Sequence, residues 1–346
     1  MINITYHNVH NRFKLNGYHF TKDDMLRVAY SFIKEGREFE KPVGQFFLDW
    51  FDQNSYIELQ TSGTTGKPKT IRIEKQAMVD SAIATGDFFD IHPGSKVLQC
   101  LPVKYIAGKL MFVRAFVLGL DMDLVAPIAA PMLNNETHYD FTAMVPLQAQ
   151  NSLVELQMVK KVIIGGARIS PSLEVELLKL PTTVFETYGM TETITHIAAK
   201  KVGETAFKVL PNITISYDDR NCLVIHAPRI SDKLIVTNDL VEMQNENEFV
   251  FKGRFDTIIN SGGIKLIPEQ IEDKLARKIH NRFFITGQTD EVLGEKVVLV
   301  IEGEPQTIKD SWFSSLDKYE KPKEVIFIPQ FKETENGKIL RKESLN

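Results

Sequence analysis

From residue 56 to residue 186, short β-rich runs alternate with longer segments whose apolar residues recur at helical spacing. That alternation is the pattern of an α/β architecture built on a largely parallel sheet. Strands are predicted at Tyr56–Gln60, Val97–Leu101, Met122–Val125, Thr142–Val145, Val162–Ile164 and Thr183–Phe185. Between the first two, Met78, Val79, Ala82, Ile83 and Phe89 fall at helical intervals, so this segment can lay an apolar face on the sheet. Further helices are expected near 108–119, 147–157 and 171–179. Past residue 205 the pattern becomes Ile213–Tyr217, Cys222–His226, Leu234–Val236 and Glu248–Phe251, short strands separated by Asn, Asp and Pro turns, as in an antiparallel sheet or small barrel. Mixed elements return after Asp256: a helix over 269–279, a strand pair within 283–301, a helix near 306–317 and a strand at Val325–Ile328. The chain therefore reads as an α/β protein, with a large N-terminal domain of α/β sheet layers over 1–253 that includes a β-barrel-like subdomain at about 205–252. A small α+β C-terminal domain follows over 254–346. There is no internal repeat and no low-complexity tract.

Composition narrows the classes. With 346 residues, 43% apolar and 25% charged, the chain is long enough for two or three domains and far from the disordered regime. A formal net charge of −4 offers no electrostatic footprint for nucleic acid. Its two cysteines, Cys100 and Cys222, make neither a disulfide framework nor a four-Cys zinc site, and each reads as a small core residue of a reducing compartment. No secretory signal pattern opens the sequence, and the apolar run Leu110–Leu120 is short and broken by Arg114, so a soluble cytoplasmic protein without a membrane span is expected. A homodimer is compatible with this composition.

The segment richest in chemistry is Thr61-Ser-Gly-Thr-Thr-Gly-Lys-Pro-Lys69, placed between a predicted strand and a helix. Its glycines permit tight turns, while hydroxyls and amides can donate to phosphate oxygens and Lys67 or Lys69 adds positive charge. Gly63 and Gly66 are only two residues apart and Pro68 follows Lys67, so this is not a P-loop. The nonapeptide instead resembles the Ser/Thr/Gly-rich signature of the adenylate-forming superfamily of acyl-CoA synthetases, adenylation domains and luciferases. Further segments resemble that family's motifs in the family's order: Gly165-Gly166-Ala167, Tyr188-Gly189-Met-Thr191-Glu192-Thr, Thr237-Asn-Asp239, Gly253-Arg254-Phe-Asp256 with Ser261-Gly262-Gly263 after it, and Asn336-Gly-Lys338.

The resemblance implies a role for each. Thr61, Ser62, Gly63, Thr64, Thr65, Gly66 and Lys69 would surround the β- and γ-phosphates of ATP. Gly165, Gly166, Ala167 and Gly189 would line the nucleotide, Tyr188 would lie against the adenine, and Thr191 near the α-phosphate. Glu192 would bind Mg²⁺, a hard cation that prefers oxygen ligands. Asp239 and Arg254 would hold the ribose hydroxyls. Lys338 would meet the negative charge that develops during adenylation. Asp256 would be the hinge of a mobile C-terminal domain, with Gly262 and Gly263 in the loop that serves CoA.

The acyl site is written less plainly. Tyr105 stands where many relatives carry an aromatic residue or His after Leu-Pro, and Lys109 and Arg114 follow on a predicted helix. Five residues turn a helix by about 500°, so these cations point about 140° apart and at most one faces a pocket. Arg114, nine residues past the aromatic position, resembles the arginine of o-succinylbenzoate–CoA ligases and would hold the second carboxylate of an aromatic dicarboxylic acid; the competing reading is a helix residue snorkelling beside the sheet. Lys109 reads as a solvated lysine or a ligand, and His196 as an acyl-pocket residue or a structural histidine. About 60 residues precede the nonapeptide, fewer than in typical fatty acyl-CoA synthetases, a shortness that suits this subfamily. Two departures stand out. Asn238 replaces the usual Gly of Thr-Gly-Asp, tolerable if Asn takes up a left-handed turn, and Asn336 replaces Ser. The readings left open are an ATP- and Mg²⁺-dependent acid–CoA ligase, a ligase for another aryl or small acid, an adenylation domain loading a carrier protein, and a nucleotide-binding regulator without turnover.

Overall fold

The computed structural model describes residues 4–61, 69–131, 136–333 and 339–345. These divide into two compact units: Met1–Ile169 with Leu173–Thr214 and His226–Ile235, and Ser170–Ser172 with Ile215–Ile225 and Val236–Asn346.

The first unit opens with elements that the hydropathy pattern does not resolve. The short strands β1 (Lys14–Leu15) and β2 (Tyr18–His19) precede the helices α1 (Lys22–Lys34) and α2 (Lys41–Phe51). A reciprocal capping box between Thr21 and Asp24 starts α1, and Pro42 starts α2, each satisfying or dispensing with amides that a helix N-terminus leaves orphaned. Next come β3 (Tyr56–Thr61), β4 (Lys69–Glu74), α3 (Lys75–Phe89), β5 (Lys96–Gln99), α4 (Ile106–Leu118), β6 (Asp121–Leu124), β7 (Tyr139–Met144), α5 (Pro146–Asn151), β8 (Val159–Ile164), α6 (Pro171–Leu177), β9 (Thr183–Gly189), β10 (His196–Lys201) and β11 (Phe207–Val209). Nine strands of this unit run in the order β11-β10-β9-β8-β7-β5-β6-β1-β2. Pairing is parallel from β9 to β1 and antiparallel at β10 and at the β1–β2 end. The edge of β6 is thus covered by the β1–β2 hairpin.

The expected helix over 147–157 is interrupted: α5 stops at Asn151, and a separate 3₁₀ turn covers Glu155–Met158. Ser152 ends α5, its amide donating to Ala149 O at 3.2 Å. α3 and α4 are buried nearly all round, not on one face. Two features fix α4. An aromatic cluster packs α2 against it, with Phe47–Phe112 and Phe47–Phe116 centroids 5.1 and 5.6 Å apart. On its other side Gly86 of α3 lies so close to Leu118 that an added Cβ would come within 2.9 Å of that side chain.

The second unit contains β12 (Thr214–Tyr217), β13 (Cys222–His226), β14 (Ile235–Asn245) and β15 (Glu248–Arg254), in that order across a sheet. It continues with β16 (Ile259–Ser261), β17 (Ile264–Leu266), α7 (Pro268–Leu275), β18 (Phe283–Asp290), β19 (Gly294–Glu302), β20 (Glu324–Ile328) and α8 (Arg341–Ser344). β17-β16-β19-β18 form a second sheet, with β20 parallel to β19. The helix expected near 306–317 is only a 3₁₀ turn at Asp310–Phe313. Ser311 and Ser314 compete with a helix there: the Ser314 hydroxyl donates to Ser311 O at 3.0 Å, while burial of Trp312 and Leu316 and a Lys278 hydrogen bond to Ser311 O at 3.1 Å tether the stretch.

Candidate active site

The Ser/Thr/Gly-rich nonapeptide is carried by an antiparallel hairpin, not by a strand-to-helix turn. β3 and β4 pair in unbroken register from Tyr56↔Glu74 to Thr61↔Lys69, and α3 begins only after β4. Ile71 and Ile73 alternate with polar residues opposite Ile57 and Leu59, a two-residue period that makes this a strand. The pair forms a sheet of its own and is no part of the parallel sheet. The first and last residues of the motif, Thr61 and Lys69, are therefore held as partners. Ser62, Gly63, Thr64, Thr65, Gly66 and Lys67 lie outside the described residues.

The next motifs sit at the carboxyl ends of adjacent central strands, the side on which open parallel sheets bind ligands. Gly165, Gly166 and Ala167 follow β8, and Tyr188 and Gly189 end β9. β9 reaches four residues beyond the sequence expectation, so Tyr188 stands on the strand with its ring 5.8 Å from Phe207. An added Cβ at Gly165 would come within 2.6 Å of the Thr187 hydroxyl, and one at Gly189 within 2.3 Å of Thr195 O, so neither position has room for a side chain. β9 then turns into β10 through a 3₁₀ turn of Thr191, Glu192 and Thr193. Thr193 is buried and holds the turn: its hydroxyl accepts the Met190 amide at 2.9 Å and donates to Thr195 O at 2.7 Å. Ile194 follows at φ 64°, a left-handed angle that costs a β-branched residue about 1–3 kcal/mol and is concentrated at functional sites. Thr191 and Glu192 are exposed, and among the described residues no hydrogen bond or ion pair reaches the Glu192 carboxylate. An exposed carboxylate with no partner among the described residues fits a cation shared with substrate phosphates. Among the described residues no cluster of three or more His, Cys, Asp or Glu could hold a metal alone.

The acyl candidates separate as the helical angle requires. Lys109 turns toward α2, its ammonium 4.9 Å from the Phe46 ring centre and lowered in pKa by burial against the opposing charge of Asp49. It is half-buried and on no solvated face. Tyr105 is the N-cap of α4, with the Lys104 ammonium 4.9 Å from its ring. Arg114 is 2% exposed. One guanidinium nitrogen donates to Met111 Sδ at 3.4 Å, and Nε has no hydrogen-bond partner among the described residues. Burial pushes this guanidinium down to about 10, so it remains a cation at neutral pH. His196 is its neighbour in charge: burial first, then the Arg114 cation, holds the imidazole well below its ordinary value and hence neutral. Its Nδ1 lies 3.2 Å from the Thr195 hydroxyl and its Nε2 3.5 Å from that of Thr85. The Thr85 hydrogen is committed to Ser81 O at 2.8 Å, so Nε2 is the nitrogen that can donate and Nδ1 the one that can accept. Phe89 closes the group, edge-on to His196 at 5.9 Å. Sequence reasoning misses Thr85; only its place four residues before Phe89, on the same helical face, could signal it.

In the second unit Asp239 and Arg254 are direct cross-strand partners on β14 and β15, with charged atoms 3.8 Å apart. Arg254 also forks onto Asp256, its Nε and a terminal nitrogen 2.8 and 3.1 Å from the two carboxylate oxygens; this bond first, then the charges of Asp256 and Asp239, raises the Arg254 pKa. Asp239 is 8% exposed, its amide donating to Thr237 Oγ1 at 3.0 Å. The expected left-handed turn at Asn238 does not exist: the residue is extended within β14, and its side chain accepts from Arg220 at 2.9 Å. Asp256 lies in a 3₁₀ turn. Gly262 and Gly263, at φ 58° and 81°, make the two-residue turn of the β16–β17 hairpin, a conformation that favours glycine at both positions. Lys338 lies outside the described residues.

A parallel sheet flanked by helices, with a Tyr-Gly-Met-Thr-Glu turn and paired glycines at its carboxyl end, defines the class. The chain belongs to the AMP-binding enzyme family, which matches residues 53–220. It is similar to an acyl-CoA synthetase (AMP-forming)/AMP-acid ligase II-like protein of Dyadobacter fermentans, with 32% identity, TM-score 0.62, and 92% of this chain and 96% of that one covered. It is 27% identical over 269 residues to the 2-succinylbenzoate–CoA ligase of Haemophilus influenzae, covering 70% of this chain and 58% of that one, so it spans less than two thirds of that relative. The Bacillus subtilis o-succinylbenzoate CoA synthetase, in complex with its acyl-adenylate intermediate, shares the fold at TM-score 0.73 and 19% identity, over 84% of this chain and 68% of that one. Among the described residues no helix is long and apolar enough to cross a membrane.

Proposed function

We propose that the protein is an AMP-forming acid–CoA ligase and that its acid is o-succinylbenzoate, a precursor in menaquinone biosynthesis. The observation that carries the choice of acid is Arg114, a buried cation with an orphaned Nε beside a neutral histidine. An unpaired buried charge costs several kcal/mol, and a carboxylate arriving in the pocket relieves that cost. A monocarboxylic acid, whose single carboxylate is consumed in the reaction, cannot do so.

In the first half-reaction a carboxylate oxygen of the acid attacks the α-phosphorus of ATP and pyrophosphate leaves, giving acyl-AMP. In the second the CoA sulfur attacks the acyl carbonyl, its proton passes to solvent, and AMP leaves. Tyr188 packs on the adenine, Thr61 to Lys69 bind the outer phosphates, Thr191 binds the α-phosphate, and Asp239 and Arg254 bind the ribose. Glu192 would hold Mg²⁺, which would supply charge neutralisation when bound. Lys338 meets the charge that develops on the reacting carboxylate and α-phosphate, and Asp256 is the hinge about which residues 254–346 reorient between the halves. A ligase for a different acid is the second reading, favoured by a 24% identity over 339 residues to an indoleacetate–CoA ligase of Aromatoleum aromaticum. ATP–pyrophosphate exchange measured without acid, with o-succinylbenzoate, and with benzoate and phenylacetate decides between them. Exchange that needs o-succinylbenzoate supports the proposal; exchange with another acid supports the second reading; none at all leaves a binder without turnover.

A further inference from the structure

Asn238 stands where the family motif has glycine, and its side chain is one of four groups gathered around Arg220. Arg220 lies in the turn between β12 and β13 and engages all three nitrogens of its guanidinium. Nε donates to Asp218 Oδ2 at 2.8 Å, and one terminal nitrogen donates to Asn238 Oδ1 at 2.9 Å. The other donates to Thr237 O at 3.1 Å and lies 2.7 Å from Asp218 Oδ2. The guanidinium carbon is 5.2 Å from the centre of the Phe255 ring. Asp218 is itself fixed, accepting the Arg220 and Cys222 amides on Oδ1 at 2.9 and 3.0 Å.

Three of these partners adjoin residues proposed to hold the ribose. Thr237 and Asn238 directly precede Asp239, and Phe255 stands between Arg254 and Asp256, the carboxylate on which Arg254 forks. The strand is irregular at this point. The β14–β15 register shifts just past Asp239, between Leu240 and Val241, and the Asp239 amide donates to Thr237 Oγ1 at 3.0 Å. That hydroxyl donates in turn to Leu223 O at 2.8 Å. Stability is a poor account of the cluster, because the Arg220 and Asp218 side chains are 37% and 23% exposed and ion pairs this open to solvent contribute little. A planar guanidinium bonded on three sides supplies direction instead, fixing angle as well as distance. Asn238 offers that fork an acceptor, which glycine has no side chain to provide. The departure from the family pattern is thus one half of a pair whose other half is Arg220.

We propose that Arg220, anchored on Asn238, is a positioning residue for the Asp239–Arg254 pair and sharpens its recognition of the ribose hydroxyls, acting through residues 237, 238 and 255. This rests on the ribose role given to Asp239 and Arg254 above. The test is isothermal titration calorimetry on the full-length chain with ATP and with 2′,3′-dideoxy-ATP, both with Mg²⁺. The ratio of the two Kd values reads the ribose hydroxyls alone. A hydrogen bond to a charged group is a factor of roughly 10 to 10² in affinity, so the unmodified chain should prefer ATP by about that factor and Asp239→Ala should lose most of it. Arg220→Met keeps a long stem without the fork; it should cut the preference by roughly 3- to 10-fold while the dideoxynucleotide binds within about twofold of its original affinity. Asn238→Ala should fall between Arg220→Met and the unmodified chain. In the Asp239→Ala background Arg220→Met should change the ratio no further, because its effect passes through that carboxylate. A further change in the double variant, an unaltered ratio in Arg220→Met, or equal weakening of both nucleotides overturns the positioning role and leaves Arg220 a structural staple. Should Arg220→Met fold poorly, Asn238→Ala and Arg220→Lys decide by the same ratio. If the unmodified chain shows no preference, or Asp239→Ala keeps all of it, the ribose reading fails first and takes this inference with it. The ratio is read from binding, so the choice of acid can fail without touching it.

Discussion

Arg114→Met separates a functional charge from a structural one. Methionine has nearly the length and flexibility of the arginine stem, so α4 keeps its packing while the charge is removed. Arg114 is buried, and among the described residues its hydrogen-bond partner is a weak one, the Met111 sulfur. Replacing a buried charge by an apolar side chain of similar volume is neutral or stabilising by about 1–4 kcal/mol. At about 2–4 °C per kcal/mol for a unit of this size, thermal unfolding should shift upward by several degrees. Activity should move the other way. Loss of a buried charge-assisted partner costs about 2–5 kcal/mol, or roughly 30- to 4,000-fold in kcat/KM for o-succinylbenzoate. The analogue lacking the succinyl carboxylate should lose nothing and can gain, since the pocket has become apolar. Differential scanning calorimetry and AMP release with both acids make the measurement. A lower unfolding temperature together with equal losses for the two acids would show that Arg114 is a structural residue, and would sink the substrate assignment while sparing the ligase reading.

Three other outcomes are expected. Glu192→Gln should slow acyl-AMP formation more than it weakens ATP binding, because the metal chiefly stabilises transition-state charge; an unchanged rate at saturating Mg²⁺ removes the residue from that role. His196 is neutral in the fold while its unfolded counterpart takes up a proton near pH 6.5. The stability it contributes is therefore complete above pH 6.5 and is lost toward lower pH, by at most about 1.4 kcal/mol per pH unit; His196→Gln should flatten the pH dependence of denaturant unfolding between pH 7 and 5, and an unaltered slope contradicts the assignment. Lys338→Ala should slow acyl-AMP formation by roughly 10²- to 10³-fold and nearly spare thioester formation, while Asp256→Pro, which restricts Phe255 in the same 3₁₀ turn, should do the reverse; single-turnover rates in which both variants slow both halves equally refute this division of roles.

Much of this architecture is legible because burial imposes a period. The parallel strands at 97, 122, 142, 162 and 183 are short apolar runs between turn signals, and the structure places strands at each. The departures have physical causes as well. The strand at Lys69–Glu74 escapes notice in the sequence because its two isoleucines are too few to announce alternation without knowledge of the partner strand. The stretch near 306–317 has an apolar stripe at helical spacing, yet its serines bond the backbone locally and leave one 3₁₀ turn. Thr237-Asn-Asp239 reads as a turn by analogy with glycine, whereas the Arg220 fork on Asn238 Oδ1 and Thr237 O fixes an extended strand there. In the first and last of these the deciding partner lies 10 or more residues away, which local propensity does not encode.

The candidate site divides in the same way. Motifs name the residues proposed to meet the nucleotide, but the geometry around His196 is set by exclusions that no motif records. β10 passes so close to β9 that only glycine fits at 189, and this approach fixes His196 as the cross-strand partner of Gly189. To reach that register the chain must turn within seven residues, and Ile194 takes up the left-handed angle that the turn demands. The close approach of α3 to α4 at Gly86 sets Thr85 and Phe89 around the same imidazole. With the imidazole walled in on these sides and kept neutral beside it, Arg114 has no compensating anion among its described neighbours. A core selected for stability alone would have an apolar residue at 114, and that unpaired cation is the observation on which the proposed second carboxylate rests.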